Sequence, residues 1–227
     1  MSKHLFITGT GTDVGKTFVS GLIVKALHDS GKNAAYFKAA MSGNARGEDG
    51  RLIPGDAAYV KGVSGIPQAT ESMCPYVYET AVSPHLASRL EGHPVRMDVV
   101  KSAFEAVSAA HDYVVVEGSG GILCPLCFDG EKLQLEDVVR ELALPCLIVA
   151  DAGLGTINDV ALTAFYMRKK HIPIKGIFFN HFHPGDVMEE DNLKMCEYMT
   201  GVKVTACIED GDTNLHISAD ALTSLFE

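Results

Sequence analysis

Short unbroken apolar runs alternate along this chain with stretches in which apolar residues recur every three or four positions. The first run, Leu5-Phe6-Ile7, leads through a glycine-rich turn into Val19, Leu22, Ile23, Ala26 and Leu27, the spacing of one helical face. Ser30-Gly31-Lys32 closes that helix, and 34–37 reads as a second strand that delivers Lys38 at its end. Residues 39–56 carry Gly43, Gly47, Gly50, Pro54 and Gly55 with little periodicity, which predicts a long surface loop, functional or mobile. The helical period returns over 84–90 and 97–110. The run inside 112–117 is that of a strand buried on both faces of a parallel sheet, and Gly118-Ser119-Gly120-Gly121 follows at once. A helix over 134–142 precedes a second buried strand at 146–150. After Gly153-Leu154-Gly155, the pair Thr156 and Asp159 resembles a capping box that opens a helix through Lys170. A strand at 175–179 ends in Asn180; one helix, a strand near 202–208 and a short C-terminal helix complete the chain. Met188, Met195 and Met199 read as core filler.

Alternating strands and helices predict an α/β fold: a mostly parallel, P-loop NTPase-like sheet with helices on both faces. No repeat, low-complexity segment or linker divides the sequence, so 1–227 is expected to form a single domain. Ligands of such sheets sit at the C-terminal ends of the strands. Lys38, Glu117, Asp151 and Asn180 all fall at such ends, as does the first glycine-rich turn.

That turn carries the most specific chemistry. Gly9, Gly15, Lys16 and Thr17 form G-x5-G-K-T between a strand and a helix, one residue longer than the generic phosphate-binding loop, which would have glycine where this chain has Thr10. Glycines let backbone N–H groups converge, the helix N-terminus adds positive potential, Lys16 reaches outer phosphates and Thr17 offers a hydroxyl to Mg²⁺. Glu117, ending an apolar strand, is placed to hold Mg²⁺ directly or through water. Asp56 is a second metal-ligand candidate, although aspartate is equally common as a turn residue in loops. Lys38 is suited to stabilising charge on a transferring phosphoryl group. Cys124 and Cys127 have the spacing of half a zinc knuckle, but no second such pair exists, which favours a structural role. His181 and His183 are read as residues of the loop after a strand in preference to a metal pair.

Composition narrows the classes further. Apolar residues make up 47% and charged residues 21% of 227, enough for one sizeable core. A formal charge of −10 without a Lys/Arg cluster gives no footprint for nucleic acid. No apolar run reaches the roughly 20 residues of a membrane span, and the start runs directly into a core strand rather than a signal peptide. Six cysteines beside a nucleotide site fit reduced thiols in the cytoplasm.

Taken together, these stretches resemble the dethiobiotin synthetase family over nearly the whole chain. The resemblance rests on Thr8-Gly9-Thr10-Gly11-Thr12-Asp13-Val14-Gly15-Lys16-Thr17, Tyr36-Phe37-Lys38 with Ser42-Gly43, Asp56, and Val116-Glu117-Gly118-Ser119-Gly120-Gly121. Gly153-Leu154-Gly155-Thr156-Ile157-Asn158 and Gly176-Ile177-Phe178-Phe179-Asn180 follow in the family's order, and the long phosphate loop is the family's own. The resemblance implies an ATP-dependent enzyme that converts 7,8-diaminononanoate and CO2 to dethiobiotin, ADP and phosphate. A carbamate and a carbamic–phosphoric anhydride are its intermediates. It assigns Lys38, Lys16 and Thr12 to catalysis, and Thr17, Asp56 and Glu117 to Mg²⁺. ATP would be held by Asp13, Val14, Gly15, Lys16, Thr17, Phe18, Asp56, Glu117, Gly118, Gly120, Asn180 and His181, with Asn180 reading the adenine edge. The diamine would meet Thr12, Lys38, Ser42, Gly118 and Gly121, while Leu154, Gly155 and Asn158 of a second subunit receive its carboxylate across a homodimer interface. The chain departs from the family in having Ala39 where proline is common and in lacking a proline-containing adenine contact near Cys207-Ile208-Glu209.

Two other classes compete. A partitioning or positioning ATPase of the same fold carries an extra lysine early in the phosphate loop, where this chain has Gly11, and a basic or amphipathic tail, where this chain has Asp220 to Glu227. An amidotransferase-linked synthetase needs a glutamine-hydrolysing domain for which 227 residues leave no room.

Overall fold

The computed structural model describes residues 2–129 and 131–227. In chain order its elements are β1 (Lys3–Gly9), α1 (Lys16–Asp29), β2 (Ala34–Lys38), β3 (Ala40–Met41), α2 (Gly55–Ser64), β4 (Tyr76–Val77), α3 (Pro84–Leu90), α4 (Met97–Ala110) and β5 (Tyr113–Gly121). Then come β6 (Pro125–Cys127), β7 (Leu133–Gln134), α5 (Leu135–Glu141), β8 (Cys146–Asp151), α6 (Thr156–Lys169), β9 (Ile174–Asn180), α7 (Val187–Thr200), β10 (Val204–Cys207) and α8 (Ala219–Thr223). Six strands form the central sheet in the order β2-β5-β1-β8-β9-β10, every pair parallel. The chain starts at β1, passes out to β2, fills the gap with β5, and then crosses β1 to build the other half. The direction of winding reverses at β1, so the crevice beyond its C-terminal end is the topological switch point where ligands of such sheets bind.

Continuous apolar runs become strands here because both faces of the sheet are covered, and alternation sorts each run into two cores. Leu5, Ile7, Tyr36, Val115, Leu147, Val149 and Phe178 pack with residues of α1, α2 and α8. Phe6, Phe37, Val114, Val116, Ile148, Ala150 and Phe179 pack on the opposite face with residues of α4, α5, α6 and α7. Among the described residues, no helix is long and apolar enough to cross a membrane.

Three expectations are corrected. Residues 39–56 are not a free surface loop: Ala39, Ala40, Met41 and Asn44 are buried, β3 pairs with β4, and Arg46 bridges to Leu52. The Asn44 amide donates to the Tyr78 carbonyl and accepts from the Gly55 N–H, so it ties the segment to the start of α2. Helix α2 carries no strong sequence signal, because it contains two glycines and buries only Ala57, Val60 and Ser64. Thr156 is not an N-cap. Gly155, left-handed at φ 100°, takes that place, and the Thr156 hydroxyl is buried without a partner. A carboxylate does cap α5, where Asp137 accepts from the Gln134 N–H at 2.9 Å.

The methionines of α7 are the third correction. Met188 and Met199 are 41% and 52% exposed. The face that α7 turns inward carries Glu189, Asn192, Cys196 and Thr200, a stripe at helical spacing whose small and polar residues hide it from a reading of hydrophobicity. Tyr198 and Val187 on α7 and Leu162 and Phe165 on α6 are exposed as well, so the two helices share an apolar outer surface.

Phe104 joins α4 to the sheet: 5% exposed, it meets Phe37 edge-to-face at 5.7 Å between centroids. Phe104→Ala is expected to lower the unfolding free energy by about 3–5 kcal/mol, read by urea denaturation, with nucleotide binding retained.

Candidate functional site

The phosphate loop joins β1 to α1 by two left-handed residues, Asp13 at φ 61° and Gly15 at φ 87°. A Cβ on Gly15 would lie 2.1 Å from the Asn180 amide nitrogen, and one on Gly9 would lie 2.8 Å from Val14 and 2.9 Å from the Gly11 carbonyl. Only glycine fits either place. Helix α1 starts without a side-chain cap and with no acidic residue in its first turn, so its positive end and free N–H groups face the crevice. Lys16 folds back over the loop and donates to the Gly11 carbonyl at 2.7 Å. Burial, aided by neighbouring Lys38, holds its ammonium below the ordinary lysine value, and Glu117 and Asp13 only partly offset this.

Strand pairing assembles the remaining charges. Lys38, at the end of β2, is the register partner of Glu117, which lies not at a strand end as expected but midway along β5, because that strand runs on through the glycines to Gly121. Glu117 is 1% exposed, and a carboxylate so buried needs several donors. Lys38 Nζ donates to Glu117 Oε1 at 2.6 Å and to Asp56 Oδ2 at 2.7 Å. The Thr17 hydroxyl donates to the same Oε1 at 2.8 Å, and the Tyr36 hydroxyl to Oε2 at 2.9 Å. Burial opposes the charge on Lys38, yet Glu117 and Asp56 together raise its pKa above the ordinary lysine value, so it remains an ammonium. Asp56 stands not in a mobile loop but in the first turn of α2, fixed by the Asn44 contact to Gly55.

A cavity of about 930 Å³ opens over this group. Thr12, Asp13, Gly15, Lys16, Thr17, Phe18, Lys38, Ser42, Asp56, Glu117 and Gly120 line it, so the structure brings together most of the residues expected there. Its far wall is 81–84, with Cys124 and Ser119 beside it, none of which the sequence had marked as site residues. The Ser42 hydroxyl pins that wall by donating to the Val82 carbonyl at 2.6 Å, and the Ser119 hydroxyl ties β5 to β3 by donating to the Ala40 carbonyl at 3.0 Å. Burial pushes the Cys124 thiol up, with Lys16 and Lys38 pulling the other way, while Cys127 is buried in the core behind it.

Other expected residues stand apart from the cavity of their own chain. Leu154 is 92% exposed at the turn before α6, with Gly155 and Asn158 beside it. Gly118 packs against the core, where a Cβ would meet Phe6 at 2.8 Å and Leu135 at 2.9 Å, and Gly121 lies alongside the Gly9 backbone. Asn180 lies beneath the phosphate loop, donating to the Val14 carbonyl at 3.2 Å, and its buried Oδ1 has no partner. His181 pairs with Asp210 and His183 with Glu189, as loop residues. Asp151 is exposed and accepts from the Gly153 N–H at 2.8 Å, a turn contact. Tyr36 was missed; its signal is the period of two from Lys38, which sets both on one face of β2.

The donors around Lys38 are a hydroxyl and two carboxylates, with neither nitrogen nor sulfur among them. This is a hard-oxygen set, open on the cavity side to water and phosphate oxygens, and it fits Mg²⁺.

Comparison with known proteins now adds kinship to the geometry. A family model described as an AAA domain matches residues 3–213. The chain is 46% identical over 228 residues to an ATP-dependent dethiobiotin synthetase of Brachyspira hyodysenteriae, covering 100% of each. It is 42% identical over 227 residues to one of Clostridium botulinum, covering 100% of this chain and 99% of that protein. Among solved structures, the MinC:MinD cell division complex of Aquifex aeolicus contains a chain of similar fold. The TM-score is 0.58 at 14% identity over 99% of this chain and 86% of that one, a likeness of P-loop NTPase fold alone.

Because Gly15 is both left-handed and in contact with Asn180, Gly15→Ala is expected to weaken nucleotide binding by about tenfold or more, from the cost of a left-handed alanine alone. Titration with a fluorescent ATP analogue measures this, with the melting temperature as the control for folding.

Proposed function

We infer the reaction of this chain from its kinship, for it belongs to the ATP-dependent dethiobiotin synthetase family. The proposed activity is carboxylation and ring closure of 7,8-diaminononanoate with CO2, driven by ATP. The observation that carries it is the knot of Lys38, Glu117, Asp56 and Thr17 at the mouth of the phosphate loop, under a cavity with room beyond the phosphates for a second substrate.

One substrate amine adds to CO2, loses a proton and becomes a carbamate. A carbamate oxygen displaces ADP from the γ-phosphate to give a mixed carbamic–phosphoric anhydride. The second amine attacks the carbonyl carbon, phosphate leaves, and the cyclic urea is closed. Lys16 and the N–H groups of the loop hold the triphosphate. Thr17, Asp56 and Glu117 would hold Mg²⁺, which when bound supplies charge neutralisation at the phosphate oxygens. Lys38 performs the task particular to a synthetase. A carbamate and a γ-phosphate about 4 Å apart repel by about 4 kcal/mol at an effective dielectric near 20, and an ammonium between them offsets that cost. Thr12 and Ser42 line the cavity where the diamine would lie, while Asn180, buried in the ligand-free chain, would read the adenine edge only after its amide turns outward.

We further propose a homodimer. Leu154, Gly155 and Asn158 lie away from the cavity of their own chain, yet form a glycine turn at a helix N-terminus, an arrangement that suits the carboxylate of a substrate bound to a second copy. The exposed Leu162, Phe165, Tyr198 and Met199 supply an apolar surface for that contact. Reduced cysteines fit a cytoplasmic setting, and the whole chain is read as one domain.

Lys38→Met is expected to keep most of the ATP affinity and to lose dethiobiotin formation by about a hundredfold or more. Diamine-dependent phosphate release near the parent rate would remove Lys38 from the mechanism. Phe165→Asp is expected to yield a monomer by light scattering and to raise KM for the diamine while ATP affinity holds.

A further inference from the structure

The Tyr36 hydroxyl has a single partner among the described residues, Glu117 Oε2 at 2.9 Å. The other oxygen, Oε1, takes both donors of the cavity side, Thr17 at 2.8 Å and Lys38 at 2.6 Å. The carboxylate is thus divided, with one oxygen turned into the sheet and one turned towards the phosphate loop. Alternation along β2 creates this. Tyr36 and Lys38 lie two apart on the face that α1 covers, and Tyr36 is the register partner of Val115, one strand position pair behind Glu117.

Tyr36 is also held more firmly than packing requires. It is fully buried. Its N–H donates to Gln68 Oε1 at 2.8 Å, its carbonyl accepts from Gln68 Nε2 at 3.0 Å, and that amide also reaches Ser72 at 3.2 Å. The carboxylate oxygen can only accept, so in this contact the phenol is the donor. The ring belongs to an apolar cluster that phenylalanine would fill equally well. The hydroxyl therefore acts on Glu117 rather than on the core.

We propose that Tyr36 is a positioning residue that sets the metal preference of the site: by occupying Oε2 it leaves only Oε1, the oxygen on the cavity side, for a metal to take from Glu117, which suits Mg²⁺ and disfavours Ca²⁺. This rests on the reading of Glu117 as a ligand. Mg²⁺ demands a small, near-octahedral shell, whereas Ca²⁺ takes a larger shell at longer distances and readily accepts both oxygens of one carboxylate. To chelate through both oxygens of Glu117, a cation must break a buried hydrogen bond to a charged group and leave a phenol unpaired.

The test compares the magnesium and calcium complexes of a non-hydrolysable ATP analogue, bound calorimetrically to the full chain and to Tyr36→Phe. The wild type is expected to prefer the magnesium complex, and Tyr36→Phe to reduce that preference by about tenfold, with the affinity for the metal-free analogue unchanged. A merely structural role would lower the melting temperature and leave the ratio alone. An unchanged ratio in a variant that still binds the magnesium complex overturns the proposal. In a Glu117→Gln background the Tyr36→Phe shift should vanish; its persistence there places the cause elsewhere and equally overturns it. If wild-type binding ignores metal altogether, the ligand reading fails and this inference with it. A measurement that needs no Tyr36 variant is the infrared carboxylate splitting of magnesium-loaded wild type, assigned by difference from Glu117→Gln. A monodentate signature supports the proposal, and a bidentate one overturns it.

Discussion

A carboxylate with almost no exposure to water sits at the centre of this protein, and its charge dictates what surrounds it. Burying Glu117 without partners would cost several kcal/mol. The structure instead gives it three donors from two elements, Thr17 of α1 and both Tyr36 and Lys38 of β2. Each donor is itself immobilised: Lys38 by Asp56, Tyr36 by Gln68, Thr17 by the first turn of a helix whose start is fixed by Gly15. Removing any one donor leaves Glu117 with fewer partners, so the members are coupled through its charge.

The sheet makes this possible through register rather than through any special backbone. Lys38 opposite Glu117, and Glu117 opposite Ile7 of β1, put the ammonium, the carboxylate and the entry to the phosphate loop side by side on adjacent strands. A parallel sheet ends all its strands on one edge, so functional side chains gather there without long excursions of the chain. The same fold carries proteins of quite different role, and its presence says nothing of chemistry. The chemistry lies in which side chains occupy those ends and in how the connection from β2 to α2 is tied back by Asn44 to bring Asp56 within reach of Lys38.

How much of this was legible in the sequence follows from the range of the forces involved. Buried strands announced themselves, since both faces are covered and the runs 112–117 and 146–150 have no polar interruption to confuse them. The phosphate loop was legible because its function demands glycine at fixed places. Helix α2 was not, because what orders it is packing on α1 and the Asn44 amide at its start, contacts that leave no local pattern in the sequence. Met188 and Met199 misled because methionine is apolar wherever it stands, while α7 turns Asn192, Cys196 and Thr200 inward. Thr156 misled because a hydroxyl before a helix reads as a cap, whereas the left-handed turn at Gly155 had already opened it. Tyr36 was hidden for the opposite reason: an aromatic in a strand looks like core, and it is core, apart from one oxygen.

The resting charges of the site also constrain how it fills. Lys38 lies between two carboxylates, and Lys16 is turned onto a backbone carbonyl, so the ligand-free group is close to balanced. A triphosphate brings more negative charge than these two lysines carry, and it arrives beside Asp56 and Glu117, which repel it. Charge of that size in a half-enclosed cavity is not dispersed by distance. On the proposed reading a divalent cation would come with the nucleotide, and Thr17, Asp56 and Glu117, which would hold it, are groups that Lys38 contacts or neighbours in the ligand-free state. Competition for those carboxylates would leave the Lys38 ammonium towards the cavity, the side on which the proposed carbamate would meet the γ-phosphate. On that reading, the residue that keeps the carboxylates in order before loading is also the one that charge balance would deliver to the reacting atoms after it.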